Sequence, residues 1–577
     1  MSRTRPHAHP GPGQPCDTEV DLLVIGSGTG MAAALAGWEV GLEVLLVEST
    51  EYIGGSTALS GGAFWIPNNF VLRDHDAYDT PERANTYLDA VVGDSAPAER
   101  RRAYVEHGPE AVEMMRRLTP MRFQWNENYS DYHPEQPGGS AAGRTCESEP
   151  FDLRGHLRQH RGLLRPTALS APVPMPITAP DYRLMNLMAK LPVKGVGRVL
   201  SRAAQGIGGL AMGREYVAGG QAIAGGLFAG LLHAGIPFWL ETPLIRLVAD
   251  GDRVTGAVLG HGGREVTVTA RRGVVLAAGG FDHDMAWRHE VQSPSLGHWT
   301  HGSPGNLGRG ISAAMEVGAA AALLDQAWWF PSIAPVPGKA PTVMLAERSL
   351  PGSFMVGGDG RRFINEAVDY MSFGQEWLRR EREGHPIGDM WIIFDQEYMN
   401  SYVFGTVSFP RMPLPQEWYA NGIAVTADTP AQLARAMRVP EAAFVEQAQR
   451  FDDMASTGSD WDFGRGNSRY DNYYGDPTVS PNPNLRPLEG KLYAVRVVLS
   501  DLGTCGGLVA DGRARVRRPD GSVIDGLYAI GNTAGNAFGA SYPGAGATIG
   551  QGLVFGMLAA EHAATGASDH TGTVHHS

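Results

Sequence analysis

The sequence lacks the features of a nucleic-acid-binding, membrane-spanning or disulfide-bonded protein. Only three cysteines occur in 577 residues, Cys16, Cys146 and Cys505, and their spacing predicts neither a disulfide framework nor a metal site. No run of about 18 apolar residues could form a spanning helix, and the first residues contain no apolar stretch of a secretory signal. A net charge of −13 argues against nucleic acid as a partner. We therefore expect a cytoplasmic protein.

Glycine, in contrast, is abundant. The chain has 75 glycines, nearly twice the usual share of about 7%. They follow no Gly-X-Y period, so they mark turns and close approaches of the backbone. A chain of this length exceeds one simple core, which predicts several domains around a large ligand.

The strongest motif lies near the start of the chain. Residues 20–25 (VDLLVI) read as a buried strand, residues 31–38 as a helix of small residues, and residues 43–48 as a second strand. Glycines in the intervening turn let the backbone approach a pyrophosphate at the helix N-terminus, and the acid 22 positions after the first glycine accepts from ribose hydroxyls. A glycine-rich loop in an ordinary α/β core would have no use for that acid. The predicted contacts are Gly26, Gly28, Thr29, Gly30 and Glu48.

One position departs from this dinucleotide fingerprint. Met31 stands where the third glycine or an alanine is usual, which bears on how closely the helix packs on the strand. The strand–turn–helix–strand order is nevertheless intact. The motif therefore predicts a dinucleotide.

Three further segments, in their order along the chain, change the prediction from a dinucleotide to FAD. Residues 54–62 (GGSTALSGG) offer N–H and hydroxyl donors to the pyrophosphate and the flavin. Residues 273–280 read as the short strand beneath the dinucleotide, and residues 526–532 as a strand whose final amide bonds the ribityl chain. The predicted contacts are Gly55, Ser56, Thr57, Ser60, Gly61, Gly62, Ala278, Gly279, Gly531 and Asn532.

The order of these segments resembles the flavoproteins of the fumarate reductase and ketosteroid dehydrogenase superfamily. This resemblance implies an α/β fold in which a Rossmann-like FAD-binding domain of glutathione-reductase type is split by an α+β substrate-capping domain. The loop at 54–62 has no histidine, whereas covalent members attach flavin there, so FAD is expected to be non-covalent. The implied domains are a disordered head at 1–17, an FAD domain at 18–327 and 504–567, a cap at 328–503 and a disordered tail at 568–577.

Within the superfamily the chain most resembles the 3-ketosteroid Δ1-dehydrogenases, over almost its whole length. The matching segments are residues 54–65, 129–132, 134–139, 327–329, 362–366, 473–477, 501–504 and 542–546. The resemblance implies removal of the hydrogens on carbons 1 and 2 of a 3-ketosteroid substrate. It also implies an electron acceptor, of quinone or dye-like chemistry, that reoxidises the FAD.

The resemblance also assigns roles to four residues. Tyr542 and the N–H of Gly546 would stabilise the enolate oxygen, as an oxyanion hole does. Tyr370 would take the proton from carbon 2, assisted by Tyr132, because a free tyrosine with a pKa near about 10 is a poor base. The apparent helix at 549–562 would favour negative charge on the flavin, and the predicted FAD contacts at its start are Gly546, Thr548 and Ile549.

Three differences from the family pattern are visible. Cys505 stands where a lysine is common, and we expect a packing residue in preference to a catalytic thiol. Arg309 stands where an acid usually precedes a Gly-Ile helix, and residues 181–215 look like an insertion. The insertion mixes basic and apolar residues, which suits either a helix on the anionic inner face of the membrane or, the reading we favour, an ordinary surface helix.

Other interpretations stay open. The aromatic run at 328–330 either lines a flat steroid pocket or caps a domain boundary. A fumarate-type reductase would need a histidine that is absent from residues 501–507, and a dehydrogenase acting at carbons 4 and 5 fits the segment at 129–132 poorly. A flavoprotein that only carries electrons would have no use for convergent tyrosine hydroxyls. The Δ1-dehydrogenase interpretation accounts for the most residues.

Overall fold

Two large β-sheets, three small ones and a set of packed helices form the part of the chain that the computed structural model describes, residues 15–75, 77, 79–167 and 174–566. The predicted disordered tail at 568–577 and all but the last three residues of the predicted head lie outside these ranges. The strands are β1 Thr18–Ile25, β2 Val44–Val47, β3 Ala63–Trp65, β4 Phe123–Trp125, β5 Thr145–Ser148, β6 Phe151–Asp152, β7 Tyr216–Val217, β8 Phe238–Trp239, β9 Leu244–Asp250, β10 Arg253–His261, β11 Arg264–Leu276, β12 Ala321–Ala322, β13 Ala327–Ile333, β14 Thr342–Val343, β15 Ser353–Val356, β16 Met390–Asp395, β17 Ala424–Ala427, β18 Leu492–Thr504, β19 Gly507–Leu508, β20 Arg515–Arg517 and β21 Val523–Ala529.

The helices surround and separate these sheets. They are α1 Gly30–Glu39, α2 Phe70–Asp74, α3 Pro81–Val92, α4 Ala98–Leu118, α5 Leu153–Leu157, α6 Ala179–Asn186, α7 Pro192–Ala211, α8 Gly219–Ala234, α9 Met285–Val291, α10 Arg309–Glu316, α11 Tyr370–Arg382, α12 Gln396–Ser401, α13 Gln416–Ala420, α14 Pro430–Met437, α15 Glu441–Thr457, α16 Arg469–Tyr473 and α17 Ala547–Thr565. Short 3-10 helices cover Gly55–Leu59, Arg158–Leu163 and Gly531–Thr533. None of the helices in the described ranges is long and apolar enough to cross a bilayer.

The first sheet has the strand order β20-β21-β10-β11-β1-β2-β8, with β9 paired to β10. Strands β1, β2, β8, β11 and β21 run parallel, and residues 22–25 at the end of β1 are continuously apolar because a parallel strand is buried on both faces. The register places Leu276 beside both Ile25 and Ala529. The carboxyl ends of β1, β11 and β21 therefore meet at one edge of the sheet, where α/β proteins bind ligands.

The second sheet is antiparallel, with the order β14-β13-β18-β16-β15 and β17 paired to β18. It is made from residues 327–504, between two parts of the chain that join the first sheet. This two-sheet α/β organisation agrees with the predicted class of fold. The exact division into an FAD domain and a cap stays a prediction.

Helix α17 lies in the core that connects the first and the second sheet. It extends from Ala547 to Thr565, which is longer at both ends than the helix predicted at 549–562. Glycines on its surface allow close contact with the turn before α1, because a Cβ at Gly552 would lie 2.3 Å from the Thr29 hydroxyl oxygen. The small residues predicted to mark close backbone approaches are therefore packing positions here.

The predicted insertion at 181–215 contains two helices, α6 and α7, separated by a turn. Pro192 is the first residue of α7 and cannot continue a preceding helix. Arg198 and Arg202 of α7 both pair with the buried carboxylate of Asp181 in α6. The two helices therefore pack together through the basic side of α7, which leaves its apolar side outward.

Candidate active site

The turn after β1 has a shape that only glycine permits at its first position. Gly26 has φ +107°, and a Cβ there would lie 2.2 Å from the carbonyl oxygen of Ala277. Gly30 lies just as tightly against the sheet, because its Cβ would approach the Cβ of Ala277 to 3.0 Å. Met31 is fully buried. The close approach of helix to strand therefore occurs at Gly30, so the departure at Met31 leaves the turn intact.

Glu48 ends the second strand as predicted and holds the turn in place. Its carboxylate accepts hydrogen bonds from the N–H of Ser27 at 3.1 Å and the Ser27 hydroxyl at 2.5 Å, and a further one from the N–H of Thr50 at 3.0 Å. The Ser27 hydroxyl oxygen in turn accepts from the N–H of Gly54 at 2.9 Å. These bonds fasten the glycine turn to the loop at 54–62.

The loop at 54–62 lies directly against the turn. A Cβ at Gly28 would come within 3.1 Å of the Thr57 hydroxyl oxygen, and one at Gly62 within 2.0 Å of the backbone of Gly219. The Ser60 carbonyl accepts from Gly220, which fixes the loop on the N-terminus of α8. Gly55 opens the 3-10 helix of this loop, and Gly61 has no atoms near its missing Cβ.

Two residues that sequence reasoning missed hold this loop from behind. Asn306 donates to the Ser56 hydroxyl oxygen at 2.9 Å and to the carboxylate of Asp282 at 3.1 Å. Burial, followed by the nearby charge of Asp501, raises the pKa of Asp282. The position of Asp282, just after the predicted Gly279-Gly280 pair, was a sequence signal that could have placed it at this site. Nothing in the sequence marks Asn306.

The remaining predicted cofactor segments reach the same place. A Cβ at Gly279 would lie 2.3 Å from the Asn306 side chain, and one at Gly531 would lie 3.1 Å from the Thr29 hydroxyl. The Asn532 side-chain oxygen accepts from Trp328 at 3.0 Å and from Thr548 at 3.2 Å. The structure thus gathers residues 26–30, 54–62, 277–280 and 531–532, Ala278 among them, into one site, here called the glycine cradle.

The cradle fits a bound dinucleotide. Gly26 and Gly30 leave no side chain between the turn and Ala277, so the backbone itself forms the binding surface. The N-terminus of α1 turns the positive end of the helix dipole toward a pyrophosphate bound at this turn.

Three tyrosines meet beside the cradle. The hydroxyl oxygens of Tyr132 and Tyr370 lie 2.8 Å apart. The ring centroid of Tyr542 is 5.1 Å from that of Tyr132 and 5.3 Å from that of Tyr370. The N–H of Gly546 points to the Tyr542 hydroxyl oxygen at 3.4 Å. All four predicted catalytic residues therefore converge, and together they are called the tyrosine site below.

Local structure positions each tyrosine. Tyr370 is the first residue of α11, and the side chain of Asp369 caps that helix by accepting from the N–H of Ser372 at 3.0 Å. Tyr132 donates its backbone N–H to the carbonyl of Pro543 at 3.1 Å, which ties it to the residue after Tyr542. Backbone hydrogen bonds, as well as the contact between the hydroxyls, therefore fix the positions of the tyrosines.

A buried ion pair supports the loop that carries Tyr132. Asp131 accepts from the indole N–H of Trp65 at 2.8 Å and from the N–H of Ser140 at 3.0 Å, and it pairs with Arg144. Both charged side chains are buried, and Arg144 also pairs with Asp79 at 2.9 Å. Sequence reasoning passed over this acid although it lies between Tyr129 and Tyr132.

Gly546 has a backbone geometry that suits an oxyanion donor. It has φ +94°, caps the N-terminus of α17 and would place a Cβ 2.3 Å from the backbone of Ala63. Its N–H and the Tyr542 hydroxyl therefore lie side by side, 3.4 Å apart, at the positive end of a helix. Two donors in this arrangement can stabilise negative charge on an oxygen.

Burial controls the ionisation of the three tyrosines. It raises the pKa of Tyr370 and of Tyr132 well above the ordinary value. It raises the pKa of Tyr542 to about 12, because hydrogen bonds with Tyr370 and Gly546 oppose part of the rise. Tyr542 is therefore a protonated donor at neutral pH, and neither Tyr370 nor Tyr132 is ionised.

The aromatic run at 328–330 divides between two faces of β13. The ring centroid of Trp328 lies 4.6 Å from that of Tyr542, and the centroid of Phe330 lies 4.7 Å from that of Tyr370. Trp329 points the other way, toward Arg288 and helix α11. Two of the three residues therefore border the tyrosine site, and the third packs between elements. The interpretation as a pocket lining describes the first two, and the interpretation as packing at a boundary describes the third.

Cys505 and Arg309, the two single residues that differ from the family pattern, lie outside the tyrosine site. Cys505 is fully buried, and burial raises the pKa of its thiol well above the ordinary value, so it is a packing residue and no thiolate. Arg309 is exposed at the start of α10, after the left-handed Gly308.

Comparison with known proteins identifies the family. A model of the FAD binding domain matches residues 21–549. The 3-oxosteroid 1-dehydrogenase of Mycolicibacterium smegmatis is 40% identical over 568 residues, which cover 96% of this chain and 99% of that protein. Its counterpart from Mycobacterium tuberculosis is 40% identical over 559 residues, covering 95% and 98%.

A solved structure shows the same arrangement. The crystal structure of 3-ketosteroid Δ1-dehydrogenase from Sterolibacterium denitrificans, in complex with 1,4-androstadiene-3,17-dione, superimposes with a TM-score of 0.90 at 36% identity. The alignment covers 95% of this chain and 100% of that chain.

Proposed function

This chain belongs to the FAD-binding family and, within it, to the 3-oxosteroid 1-dehydrogenases, and on that premise we propose how its residues desaturate a 3-ketosteroid between carbons 1 and 2. It is an oxidoreductase with FAD as cofactor, which confirms the predicted fold, cofactor and class of enzyme. Bound FAD supplies the acceptor for the hydride that leaves carbon 1. The residues of the glycine cradle would hold it without a covalent bond.

The Tyr542 hydroxyl and the Gly546 N–H would bind the 3-keto oxygen. The two donors lie 3.4 Å apart, and Tyr542 stays protonated at neutral pH because burial raises its pKa to about 12. Negative charge develops on that oxygen when carbon 2 loses a proton. A donor aimed at such charge is worth about 2.7–4 kcal/mol in the transition state.

Tyr370 would receive the proton from carbon 2. The Tyr132 hydroxyl donates to the Tyr370 oxygen at 2.8 Å, and reversal of this bond would let Tyr370 pass its own proton to Tyr132 as the proton from carbon 2 arrives. Such a partner is needed because burial keeps Tyr370 protonated at neutral pH. Trp328 and Phe330 would cover the apolar rings of the steroid beside these hydroxyls.

The convergence of Tyr132, Tyr370, Tyr542 and Gly546 beside the cradle carries this proposal, and Tyr370→Phe tests it. The variant should retain FAD, while turnover of 4-androstene-3,17-dione falls by about 10²–10⁴-fold, the usual contribution of a general base. Turnover is followed anaerobically as bleaching of the flavin absorbance. Near-normal bleaching in the variant would contradict the role of Tyr370.

The same assay separates the rival functions. In a Δ1-dehydrogenase the steroid itself bleaches the flavin, and a quinone or a redox dye restores the absorbance. A fumarate-type reductase would need a prior reductant, and fumarate would then restore the colour. An enzyme acting at carbons 4 and 5 would leave the flavin colour unchanged, because 4-androstene-3,17-dione already has a double bond between those two carbons.

We further propose that α7 touches a lipid surface from which an apolar steroid enters. Its outward face carries Val193 at 89% exposed, Leu200 at 64% and, just after the helix, Met212 at 71%. Helix α6, which packs on α7, reaches the tyrosines through Arg183, whose guanidinium donates to the carbonyl of Tyr473 at 2.7 Å. This arrangement would place a lipid contact near the site.

The charges of the insertion differ from the expectation of a basic face turned toward an anionic membrane. Lys190 pairs with Glu397 at 2.8 Å, and Arg198 and Arg202 pair with Asp181. Attachment would therefore depend on burying apolar side chains, with little contribution from charge.

Sedimentation with neutral phosphatidylcholine vesicles tests this contact. The full chain should sediment with the vesicles and show little dependence on salt, and Leu200→Glu should remain in the supernatant. Val445→Glu is the matched control because Val445 is an exposed valine on α15, away from α7. Unchanged sedimentation after deletion of residues 184–212 would remove the proposal.

A further inference from the structure

The hydroxyl of Ser56, in the loop at 54–62, has both of its acceptor positions occupied. Its oxygen accepts from the N–H of Ser303 at 2.9 Å and from the side-chain amide of Asn306 at 2.9 Å. A hydroxyl group has two lone pairs that accept and one hydrogen that donates. No residue in the part of the chain that the structure describes accepts that hydrogen. The Ser56 hydroxyl is therefore restricted to donating to a molecule other than the protein.

Asn306 is held with its amide nitrogen toward Ser56. The side chain is buried, and the same nitrogen also donates to the carboxylate of Asp282 at 3.1 Å. Because an ionised carboxylate accepts hydrogen bonds and donates none, Asp282 keeps the nitrogen of the amide, and not its oxygen, on this side. The backbone of Asn306 is fixed as well, since its N–H donates to the carbonyl of Ser303 at 2.9 Å.

Both residues lie at the glycine cradle. A Cβ at Gly279 would lie 2.3 Å from the side-chain oxygen of Asn306, and one at Gly55 would lie 3.6 Å from the backbone nitrogen of Gly28. Ser56 is half-buried, so a molecule bound in the cradle can reach its hydroxyl. FAD carries phosphate and carbonyl oxygens, which accept hydrogen bonds of this kind.

Ser60 lies in the same loop and differs from Ser56 in this respect. Its hydroxyl donates to the carbonyl of Thr57 at 2.7 Å and accepts from the N–H of Gly62 at 3.1 Å. The hydrogen of Ser60 is therefore used inside the loop, where it supports the backbone. Of the two half-buried serines predicted to contact FAD, Ser56 has its hydrogen available for the cofactor.

We infer that Asn306 is a positioning residue for FAD, because it holds the Ser56 hydroxyl as a donor to an acceptor oxygen of the cofactor. Asn306 itself bonds Ser56 and Asp282, and it acts on FAD only through that hydroxyl. The inference depends on FAD as the cofactor and not on the reaction proposed above for the steroid.

Release of FAD from the loaded full-length protein tests the inference. Flavin fluorescence is followed through a dilution series at pH 8, which favours the ionised carboxyl of Asp282, and gives the dissociation constant of FAD. Ser56→Ala should raise this constant by about 10-fold, the loss expected for one hydrogen bond. Ser60→Ala is the matched control and should leave it nearly unchanged. No steroid is added, so the result is independent of the proposed Δ1-dehydrogenation.

A double-mutant cycle then tests whether Asn306 acts through Ser56. Asn306→Ala alone should raise the dissociation constant of FAD by about 5-fold, because the freed hydroxyl no longer keeps one orientation. In the Ser56→Ala background the same change should have almost no further effect, because no hydroxyl is left to position. Effects that multiply would show that Asn306 supports the cradle in another way and would overturn the inference.

Asn482→Ala is the matched control for loss of a buried amide. Asn482 is 6% exposed, as Asn306 is, and its nitrogen also donates two hydrogen bonds, to backbone carbonyls at 3.1 and 3.2 Å. This control should keep the normal dissociation constant. If Asn306→Ala does not fold, Asn306→Ser takes its place, because a serine side chain ends one bond short of the nitrogen that bonds Ser56. A normal constant in Ser56→Ala, or equal losses in the Asn306 and Asn482 variants, would also overturn the inference.

Discussion

The glycine cradle is shaped by backbone atoms, whereas the tyrosine site depends on three side-chain hydroxyls brought together from distant parts of the chain. At Gly26 an added Cβ would lie 2.2 Å from the carbonyl oxygen of Ala277. Tyr132 and Tyr370, by comparison, are 238 positions apart in sequence, and their hydroxyl oxygens meet at 2.8 Å. Adding one methyl group should therefore abolish FAD binding at the glycine cradle. Removing one hydroxyl oxygen should abolish turnover at the tyrosine site and leave the site folded.

Gly26→Ala should have the largest effect. The new methyl group would meet the backbone of Ala277, and alanine would also be strained at φ +107°. We expect the purified variant to contain almost no FAD and to show no turnover. Flavin absorbance relative to protein absorbance measures the loss.

Gly41→Ala is the control for this change. Gly41 also has a positive φ, of +94°, but no atom lies within 4 Å of its missing Cβ. The control variant should suffer backbone strain of the order of 1 kcal/mol and keep its FAD. If both variants lost FAD equally, strain and not the contact with Ala277 would explain the requirement for glycine at position 26.

Tyr542→Phe should have a smaller effect that is confined to the tyrosine site. Removing the hydroxyl takes one donor from the enolate oxygen, worth about 2.7–4 kcal/mol, so kcat should fall by about 10²–10³-fold while FAD content stays normal. Steady-state turnover of the steroid, with the flavin spectrum as a check, measures both. The matched control is Tyr528→Phe, because the Tyr528 hydroxyl also lies against α17, at 2.9 Å from His562. Equal losses in the two variants would indicate a general effect on α17.

The contrast between the regions also explains what the sequence could predict. The cradle follows from local rules, because Gly26 to Glu48 form one contiguous strand–turn–helix–strand unit whose geometry the residues themselves require. The gathering of residues 277–280 and 531–532 beside it follows from parallel strands whose carboxyl ends share one edge. Asn306, in contrast, carries no local signature, because its role arises only when the folded chain sets it behind Ser56.

The tyrosine site was predictable only through family resemblance. Tyr132 and Tyr542 stand on separate loops and Tyr370 begins α11, and no rule of periodicity or spacing brings the three together. The ion pair of Asp131 with Arg144 could not be foreseen because it depends on burial in three dimensions. The outward apolar face of α7 could not be predicted either. It depends on the ion pairs that turn the basic side of α7 toward Asp181, and these form only in the folded chain.

Glu147 gives the smallest predicted effect, one on stability. It belongs to β5, which pairs with β3 after the loop at 54–62, and its carboxylate accepts from the N–H of Ala179 at the start of α6. Burial is the main cause that raises the pKa of Glu147 from 4.5 to about 7.

The sign of the pH dependence follows from this rise. Between pH 4.5 and about 7 the folded protein holds a proton on Glu147 that the unfolded chain has released, so the free energy of unfolding falls as pH increases. The contribution is complete below pH 4.5 and lost above about 7, and it amounts to the order of 1–3 kcal/mol. Glu147→Gln should remove this part of the pH dependence, because glutamine keeps the shape without a titrating proton, whereas Glu127→Gln at an exposed position should not. Urea unfolding at pH 5 and pH 8 measures the difference. An equal pH dependence with and without Glu147 would show that its carboxyl does not contribute to the pH dependence of stability.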